Sequence, residues 1–219
     1  MDTFIGNKVT SKVYAFGDSY TYGYDLPDCW MDYSQDSRTM TNHPAPSNLT
    51  YSALTSQCLG YSYDCRAVGH AANNGILKQI KEVDAINKTD VCLVMWSFIE
   101  RHAEMFNSNR GFSTLDYDLD KWWYRDLDQT GIVMFNRTLD SILAAQAILD
   151  STGCDYVFLS NNLILQNYIT DLTKWINKDR WLILPKDHSM LKVPQHPNKE
   201  IHFDIFGRIK DKLTIQDLK

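Results

Sequence analysis

An unbroken apolar run, VCLVMW at residues 91–96, limits the possible folds of this chain more than any other feature. A strand with one face in water alternates apolar and polar residues, so a run without any polar position needs cover on both faces. Strands of that kind belong to parallel sheets, because their crossover connections place helices on both sides. The run therefore predicts a buried parallel strand with helices above and below it.

Other short apolar segments alternate with amphipathic segments along the chain. The predicted strands are Lys12–Phe16, Ser62–Val68, Tyr156–Leu159 and a weaker one at Trp181–Leu184. Helices are predicted from a cap at Ser47 to Gln57, from Asn73 or Asn74, at about 130–150, around 170–178, and from about Asn198. Strands that alternate with helices predict a three-layer α/β/α sandwich with a mostly parallel, flavodoxin-like sheet.

Length and charge narrow the class of protein. A chain of 219 residues fits one domain, predicted to cover residues 1–219. A net charge of −5 argues against a nucleic-acid partner. No stretch of the sequence is long and apolar enough to predict a membrane partner, and the N-terminus MDTFIGNKVTSK has no apolar signal-peptide core, which predicts a cytoplasmic location. The five cysteines lack the spacing of metal ligands, so neither a metal nor another cofactor is predicted.

The first predicted strand ends abruptly in the stretch YAFGDSYTYG, residues 14–23. Its apolar residues stop at Gly17-Asp18-Ser19, and the chain turns again at Gly23. Glycine, aspartate and serine are common in turns for ordinary reasons, so the stretch is by itself compatible with a plain turn. It is equally compatible with a nucleophilic serine held at the edge of a sheet.

Other polar groups follow other predicted strands. In parallel sheets, ligands bind outside the carboxyl ends of the strands. The further groups at such ends are Val68-Gly69-His70, Trp96-Ser97, and a loop VPQHPNKEIH that holds His196 before the last helix. A serine needs a base to take its proton, and an oxyanion needs convergent donors such as turn amides. Together, these groups predict an acyl-transfer site.

Two of these motifs resemble a known family. GDSYTYG matches the first block of the SGNH/GDSL hydrolase superfamily, Gly-Asp-Ser-x-Thr-x-Gly, and QHPNKEIH is similar to its last block. The resemblance covers essentially the whole chain and implies the SGNH hydrolase fold. More narrowly, PSNLTYSALTSQCLGY, AVGHAANNGI and MWSFIERHAEMF resemble variants of phage-encoded members, which implies a virion-associated protein as an alternative to a cytoplasmic one.

The resemblance implies a role for each matching residue. Ser19 is the nucleophile and also gives its backbone N–H to the oxyanion hole, while His196 is the general base. The next oxyanion donor is the backbone N–H of Gly69, or of His70 in a shifted register.

The third block of the family departs from its pattern here. That block offers an asparagine side chain as an oxyanion donor, and VMWSFIER contains no asparagine. Ser97 takes roughly that place, and Asn73 or Asn74 from the neighbouring loop is the alternative.

The family's catalytic acid is absent as well. It lies three residues before the histidine, where this chain has Val193. Asp187 is the nearest candidate along the chain, and a backbone carbonyl or a carboxylate from elsewhere are alternatives. His188 competes with His196 as the base, whereas His202 is interpreted as a packed or capping residue of the last helix.

An aromatic cluster suggests the substrate. Trp122, Trp123 and Tyr124 in DKWWYRD predict a sugar-stacking platform or lid, or else a small buried core. The sequence thus predicts an esterase that removes a short acyl group, such as acetyl, from an alcohol and preferably from a carbohydrate ester. Because the acid and the asparagine are missing, a non-catalytic module that binds a glycan or a protein is the alternative. A third interpretation, a flavodoxin-like cofactor-binding protein, is disfavoured because the sequence contains no glycine-rich loop that would bind a phosphate.

Overall fold

The computed structural model describes residues 11–29, 45–69, 71–97, 103–104, 113–114, 132–160, 172–184 and 196–213. Its main sheet has five strands, which are β1 (Lys12–Phe16), β2 (Ser62–Cys65), β3 (Val91–Trp96), β6 (Asp155–Ser160) and β7 (Trp181–Ile183). All five are parallel, and they lie in the order β2-β1-β3-β6-β7. A separate antiparallel pair consists of β4 (Ala103–Glu104) and β5 (Ser113–Thr114).

Helices connect the strands of the main sheet. They are α1 (Ser19–Tyr22), α2 (Tyr51–Leu59), α3 (Asn73–Lys81), α4 (Ile132–Thr152) and α5 (Lys199–Lys212), with 3-10 turns at Leu172–Trp175 and Lys178–Arg180. Side-chain caps start three of them: Asp18 accepts a hydrogen bond from the N–H of Tyr20, Thr50 accepts one from Ala53, and Asn198 accepts one from Ile201. Such caps satisfy backbone N–H groups that the helix itself leaves unpaired.

Strand β3 shows why the sheet is covered on both sides. Its alternate residues Cys92, Val94 and Trp96 pack in one apolar cluster with side chains of α3 and α4. The intervening Val91, Leu93 and Met95 pack in a second cluster with side chains of α2 and α5. All six are at most 3% exposed. The predicted three-layer α/β/α sandwich with a parallel sheet is confirmed.

Two boundaries differ from the sequence prediction for local reasons. Ser47 does not cap α2: its hydroxyl oxygen accepts from the N–H of Leu49 in the turn before the helix and donates to Asp28, and Thr50 caps the helix instead. Strand β2 ends at Cys65 rather than at Val68, whose N–H instead bonds to the carbonyl of Gly17 at 3.1 Å. The helix predicted around 170–178 consists of the two 3-10 turns.

The strand order fixes where a site can form. The chain runs from β1 outward to β2 and then returns to place β3 on the other side of β1. At such a reversal, the connections leave the carboxyl ends of two neighbouring strands in opposite directions and open a crevice between them. Gly17 follows β1 and Ser97 follows β3, so both lie at this crevice.

Candidate active site

The GDSYTYG segment folds as a strand end followed by a single helical turn. Ser19 is the first residue of α1 and is 3% exposed. Asp18 caps the turn, because its Oδ1 accepts a hydrogen bond from the N–H of Tyr20 at 3.1 Å. Gly23 ends the turn in the left-handed region at φ +89°. The sequence motif therefore holds the hydroxyl of Ser19 at the carboxyl end of a central strand.

Close packing explains the two glycines and the threonine of the motif. A Cβ on Gly17 would lie 2.2 Å from Oγ1 of Thr21, so no larger residue fits there. That Thr21 hydroxyl lies 2.8 Å from the hydroxyl of Tyr51, which stays protonated because burial raises the pKa of Tyr51. A Cβ on Gly23 would lie 2.6 Å from the Cβ of Ser47.

His196 is held beside this turn by three side chains. Its Nδ1 lies 2.7 Å from Oδ2 of Asp25, and its ring meets the rings of Tyr20 and Tyr24 edge-on, with centroid distances of 5.3 and 5.6 Å. The histidine and aspartate side chains are 18% and 30% exposed. Because Tyr20 belongs to the same helical turn as Ser19, this packing places the predicted base against the turn that holds the predicted nucleophile.

The carboxylate that contacts His196 belongs to Asp25 and not to Asp187, the candidate suggested by the sequence. Asp187 is the nearest candidate along the chain, whereas Nδ1 of His196 is hydrogen-bonded to Asp25. Asp187 itself lies outside the described residues, as do Val193 and the competing base His188. A carboxylate from a distant segment, which was one of the alternatives, is the arrangement that the structure contains.

Sequence reasoning missed Asp25, although one signal was present. Asp25 has φ +67°, in the left-handed region that few residues other than glycine, asparagine and aspartate adopt. It lies two residues after Gly23, in the turn that leaves α1. The sequence signal was therefore only the residue type, an aspartate that tolerates such a conformation, two residues after a glycine.

Two predicted oxyanion donors are already engaged inside the protein. The hydroxyl of Ser97 donates its single proton to Oδ2 of Asp18 at 2.9 Å. The side-chain NH₂ of Asn73 lies 3.3 Å from the carbonyl of Ser97 and 3.1 Å from the hydroxyl of Thr138. In this arrangement both residues brace the turn of Asp18. A donor role for either would require these bonds to break.

The turn that contains Gly69 lies against Gly17 and against Tyr24, whose ring contacts that of His196. The N–H of Ala71 bonds to the carbonyl of Val68, and the N–H of Val68 bonds to the carbonyl of Gly17, both at 3.1 Å. A Cβ on Gly69 would lie 2.6 Å from the hydroxyl oxygen of Tyr24, so the close approach requires glycine. The backbone N–H of Gly69 remains the predicted second oxyanion donor.

His202 is a packed residue, in agreement with its interpretation from sequence. It is fully buried, its Nδ1 accepts a hydrogen bond from the N–H of Tyr51 at 3.3 Å, and its ring stacks on that of Tyr51. Burial, and secondarily the charge of His196, lower the pKa of His202 to about 4. This histidine is therefore neutral near pH 7 and supports the start of α2.

Other predicted residues lie outside the described part of the chain, namely Trp122, Trp123, Tyr124 and His70. Among the described residues, no group of three or more histidine, cysteine, aspartate or glutamate side chains could hold a metal ion. Within the same ranges, no helix has the length and apolar character needed to cross a membrane.

Several solved structures share this architecture. A carbohydrate esterase, described as having an active site with divergent catalytic and non-catalytic binding functions, has a TM-score of 0.58 at 12% identity, over 95% of this chain and 70% of its own. The acetyl xylan esterase Est2A from the rumen bacterium Butyrivibrio proteoclasticus has a TM-score of 0.51 at 12% identity, over 92% of this chain and 63% of its own. A catalytic mutant of Axe2, an acetylxylan esterase from Geobacillus stearothermophilus, has a TM-score of 0.52 at 12% identity, over 97% and 99%.

These similarities establish the fold: a five-stranded parallel sheet flanked by helices, as in carbohydrate esterases with an SGNH-type fold. No family model matches the sequence, and no curated protein matches it. The narrower resemblance to phage-encoded proteins has no counterpart among these three neighbours and stays a prediction.

Proposed function

We propose that this protein is a serine esterase that removes acetyl groups from a carbohydrate ester, with Ser19, His196 and Asp25 as its catalytic residues. The observation that carries the proposal is the 2.7 Å contact between Nδ1 of His196 and Oδ2 of Asp25, next to the turn that holds Ser19. A carboxylate on Nδ1 orients the imidazole and leaves Nε2 as the atom that exchanges a proton with the nucleophile.

The reaction follows from these roles. Ser19 Oγ attacks the ester carbonyl carbon while Nε2 of His196 takes its proton, and the carboxylate of Asp25 stabilises the imidazolium that forms. The carbonyl oxygen becomes an oxyanion, for which the backbone N–H groups of Ser19 and Gly69 are the proposed donors. The C–O bond to the alcohol then breaks, and the histidine returns the proton to the departing alcohol. Water hydrolyses the acyl-enzyme by the same steps and releases acetate.

Two observations support a small acyl group and a sugar. Ser19 is only 3% exposed, which favours a short acyl group over a bulky one. The neighbours with the same fold include acetylxylan esterases, which supports an acetylated carbohydrate as the substrate. Trp122 and Trp123 are proposed to stack against the sugar rings, since aromatic side chains outside a core tend to contact ligands.

A fluorophosphonate probe followed by peptide mass spectrometry tests the proposal. An adduct on Ser19, absent in the His196→Ala variant, is the expected result, because only an activated serine reacts with this probe. Release of acetate from acetylated xylooligosaccharides then tests the substrate. An unlabelled Ser19, under conditions that label a control hydrolase, contradicts the proposed chemistry.

A glycan-binding module without turnover is the second candidate. It is favoured by the two side chains near the nucleophile turn, Ser97 and Asn73, whose donors are engaged within the protein. Binding of an acetylated oligosaccharide measured by calorimetry, with neither acetate release nor labelling of Ser19, would support this candidate against the esterase.

A further inference from the structure

Helix α3 presents two side-chain amides to the carboxyl ends of the two central strands. Oε1 of Gln79 accepts a hydrogen bond from the N–H of Gly17, and Nε2 of Gln79 donates to the carbonyl of the same residue, both at 2.9 Å. Asn73 makes the same pair of contacts with Ser97, at 2.8 Å to its N–H and 3.3 Å to its carbonyl. Each amide therefore pairs with both polar backbone groups of the residue that follows a strand.

The need for these amides follows from the end of the sheet. Strand β1 ends at Phe16, so Gly17 no longer has a regular ladder partner on both sides. Buried backbone N–H and C=O groups require hydrogen bonds, and a side-chain amide carries the same donor and acceptor as a peptide. Gln79 is 8% exposed and therefore takes the place of a neighbouring strand in a nearly dry environment.

The contacts of Gln79 connect several parts of the site. The carbonyl of Gly17 also accepts the N–H of Val68, which directly precedes the proposed oxyanion donor Gly69. Asp18 is tied to Ser97, which Asn73 holds from the same helix as Gln79. A rotation of the backbone at Gly17 would therefore displace the turn that begins two residues later at Ser19.

We propose that Gln79 is a positioning residue for the nucleophile: its amide fixes the backbone of Gly17 and thereby the place of the Ser19 hydroxyl relative to His196. This inference rests on the proposed function, because it concerns the reactivity of Ser19. Gln79 contacts backbone two residues before the nucleophile and acts on substrate only through that backbone. Its loss should therefore lower the rate of the chemical step and leave substrate affinity nearly unchanged.

The Gln79→Met variant tests this directly, since methionine has a similar length and neither the donor nor the acceptor. We expect the rate of fluorophosphonate labelling at Ser19, and kcat for an aryl acetate, to fall by on the order of 10- to 100-fold, because small misplacements of reacting groups have effects of that size. KM should change by less than about twofold.

Gln79→Glu is the second variant and keeps the proposal testable if Gln79→Met does not fold. The ionised carboxylate still accepts from the N–H of Gly17 but offers no donor to its carbonyl. Protonation restores a donor. The labelling rate of this variant, divided by that of the wild-type protein at the same pH, should therefore rise as the pH falls.

Gln146 provides a matched control. Its side chain also pairs with backbone twice, accepting from the N–H of Asn177 at 2.8 Å and donating to the carbonyl of Trp175 at 3.1 Å. Those residues precede β7 and lie toward the amino ends of the parallel strands, away from the crevice. Gln146→Met should lower the melting temperature without slowing the labelling of Ser19.

The outcomes separate this inference from the proposed function. Labelling of Ser19 in the wild-type protein, with Gln79→Met and Gln146→Met reacting at equal rates, overturns the role of Gln79 and leaves the esterase intact. If Gln79→Met is unfolded, Gln79→Glu decides: a labelling rate equal to that of the wild-type protein at every pH also overturns the role of Gln79 and leaves the esterase intact. An unlabelled Ser19 in the wild-type protein overturns the proposed function and this inference with it.

Discussion

Oδ2 of Asp25 lies 2.7 Å from Nδ1 of His196, although 171 positions separate the two residues in sequence. Ser19 begins α1 and Asp25 lies in the turn that follows this helix, whereas His196 precedes the last helix. In the proposed site, the nucleophile and the acid therefore come from one short N-terminal segment, and the histidine joins them from the other end of the chain.

Replacing Asp25 with asparagine should abolish most of the proposed esterase activity. Asparagine has nearly the same size and tolerates the left-handed backbone at φ +67°, so the turn should keep its shape. The amide cannot stabilise the imidazolium of His196 as a carboxylate does. We expect kcat for an aryl acetate to fall by on the order of 10³- to 10⁴-fold.

Asp28→Asn is the matched control for Asp25→Asn. Asp28 lies in the same segment, but it accepts hydrogen bonds from the hydroxyl of Ser47 and the N–H of Asn48 rather than from His196. This variant should lose stability and keep its kcat. Nearly full activity in Asp25→Asn, with a large loss in Asp187→Asn, would return the acid to the position that the sequence suggested.

Introducing the family's aspartate at residue 193 should not raise turnover. Nδ1 of His196 already has a carboxylate partner in Asp25, so a second acid has no vacant role. We expect kcat of Val193→Asp to stay within about twofold of wild type in a steady-state assay. A clear gain in Val193→Asp would contradict the catalytic role of Asp25.

The substitutions Ser19→Ala and His196→Ala should be strongly non-additive. Each should lower ester hydrolysis by on the order of 10⁴-fold, and the double variant should be little worse, because the residues act as one unit. Kinetics on a chromogenic aryl acetate measures all three variants. If His188→Ala is the damaging change and His196→Ala remains active, the assignment of the base is wrong.

Trp122→Ala and Trp123→Ala should discriminate between large and small substrates. If these residues stack on sugar rings, each change raises KM for acetylated xylooligosaccharides by roughly tenfold, since loss of one stacking contact costs about 1 kcal/mol or more. A small aryl acetate does not reach them and should be hydrolysed at the wild-type rate. Equal losses on both substrates, together with a lower melting temperature, would identify them as core residues.

His202 should make the protein less stable as the pH falls below 6.5. The folded state holds this histidine with a pKa of about 4, while in the unfolded chain it titrates near 6.5. Between these values the unfolded state binds a proton that the folded state does not, so stability decreases as the pH falls and levels off below about 4. At 1.36 kcal/mol for each pH unit in this interval, the loss is on the order of 3 kcal/mol.

Urea denaturation at a series of pH values measures this loss, with His202→Asn as the comparison. The asparagine side chain keeps an acceptor for the N–H of Tyr51 but does not titrate. The variant should be less stable at pH 7, because it loses the ring stacking on Tyr51. Because it does not titrate, it should lose less stability than the wild-type protein between pH 6.5 and 4. Parallel stability curves for the two proteins would show that His202 does not control the acid sensitivity.

The layers of the fold and the local geometry of the nucleophile turn follow from short-range patterns in the sequence. The unbroken apolar run at Val91–Trp96 required cover on both faces, and it forms the central strand of the covered sheet. Local patterns of this kind depend on neighbours a few positions apart, so strand periodicity, caps and the Gly17 and Gly23 turns can be read from sequence.

The carboxylate that contacts His196 and the amides that hold the strand ends are instead set by long-range packing. Asp25 reaches the histidine through a left-handed turn, and Gln79 reaches Gly17 across 62 positions from a neighbouring helix. The periodicity of α3 places Gln79 on the same buried face as Ile76 and Ile80, but it does not show which backbone group the amide meets. Such contacts depend on how the strands are ordered and how far the helices stand from the sheet, and these distances are fixed by packing of the whole core rather than by local sequence.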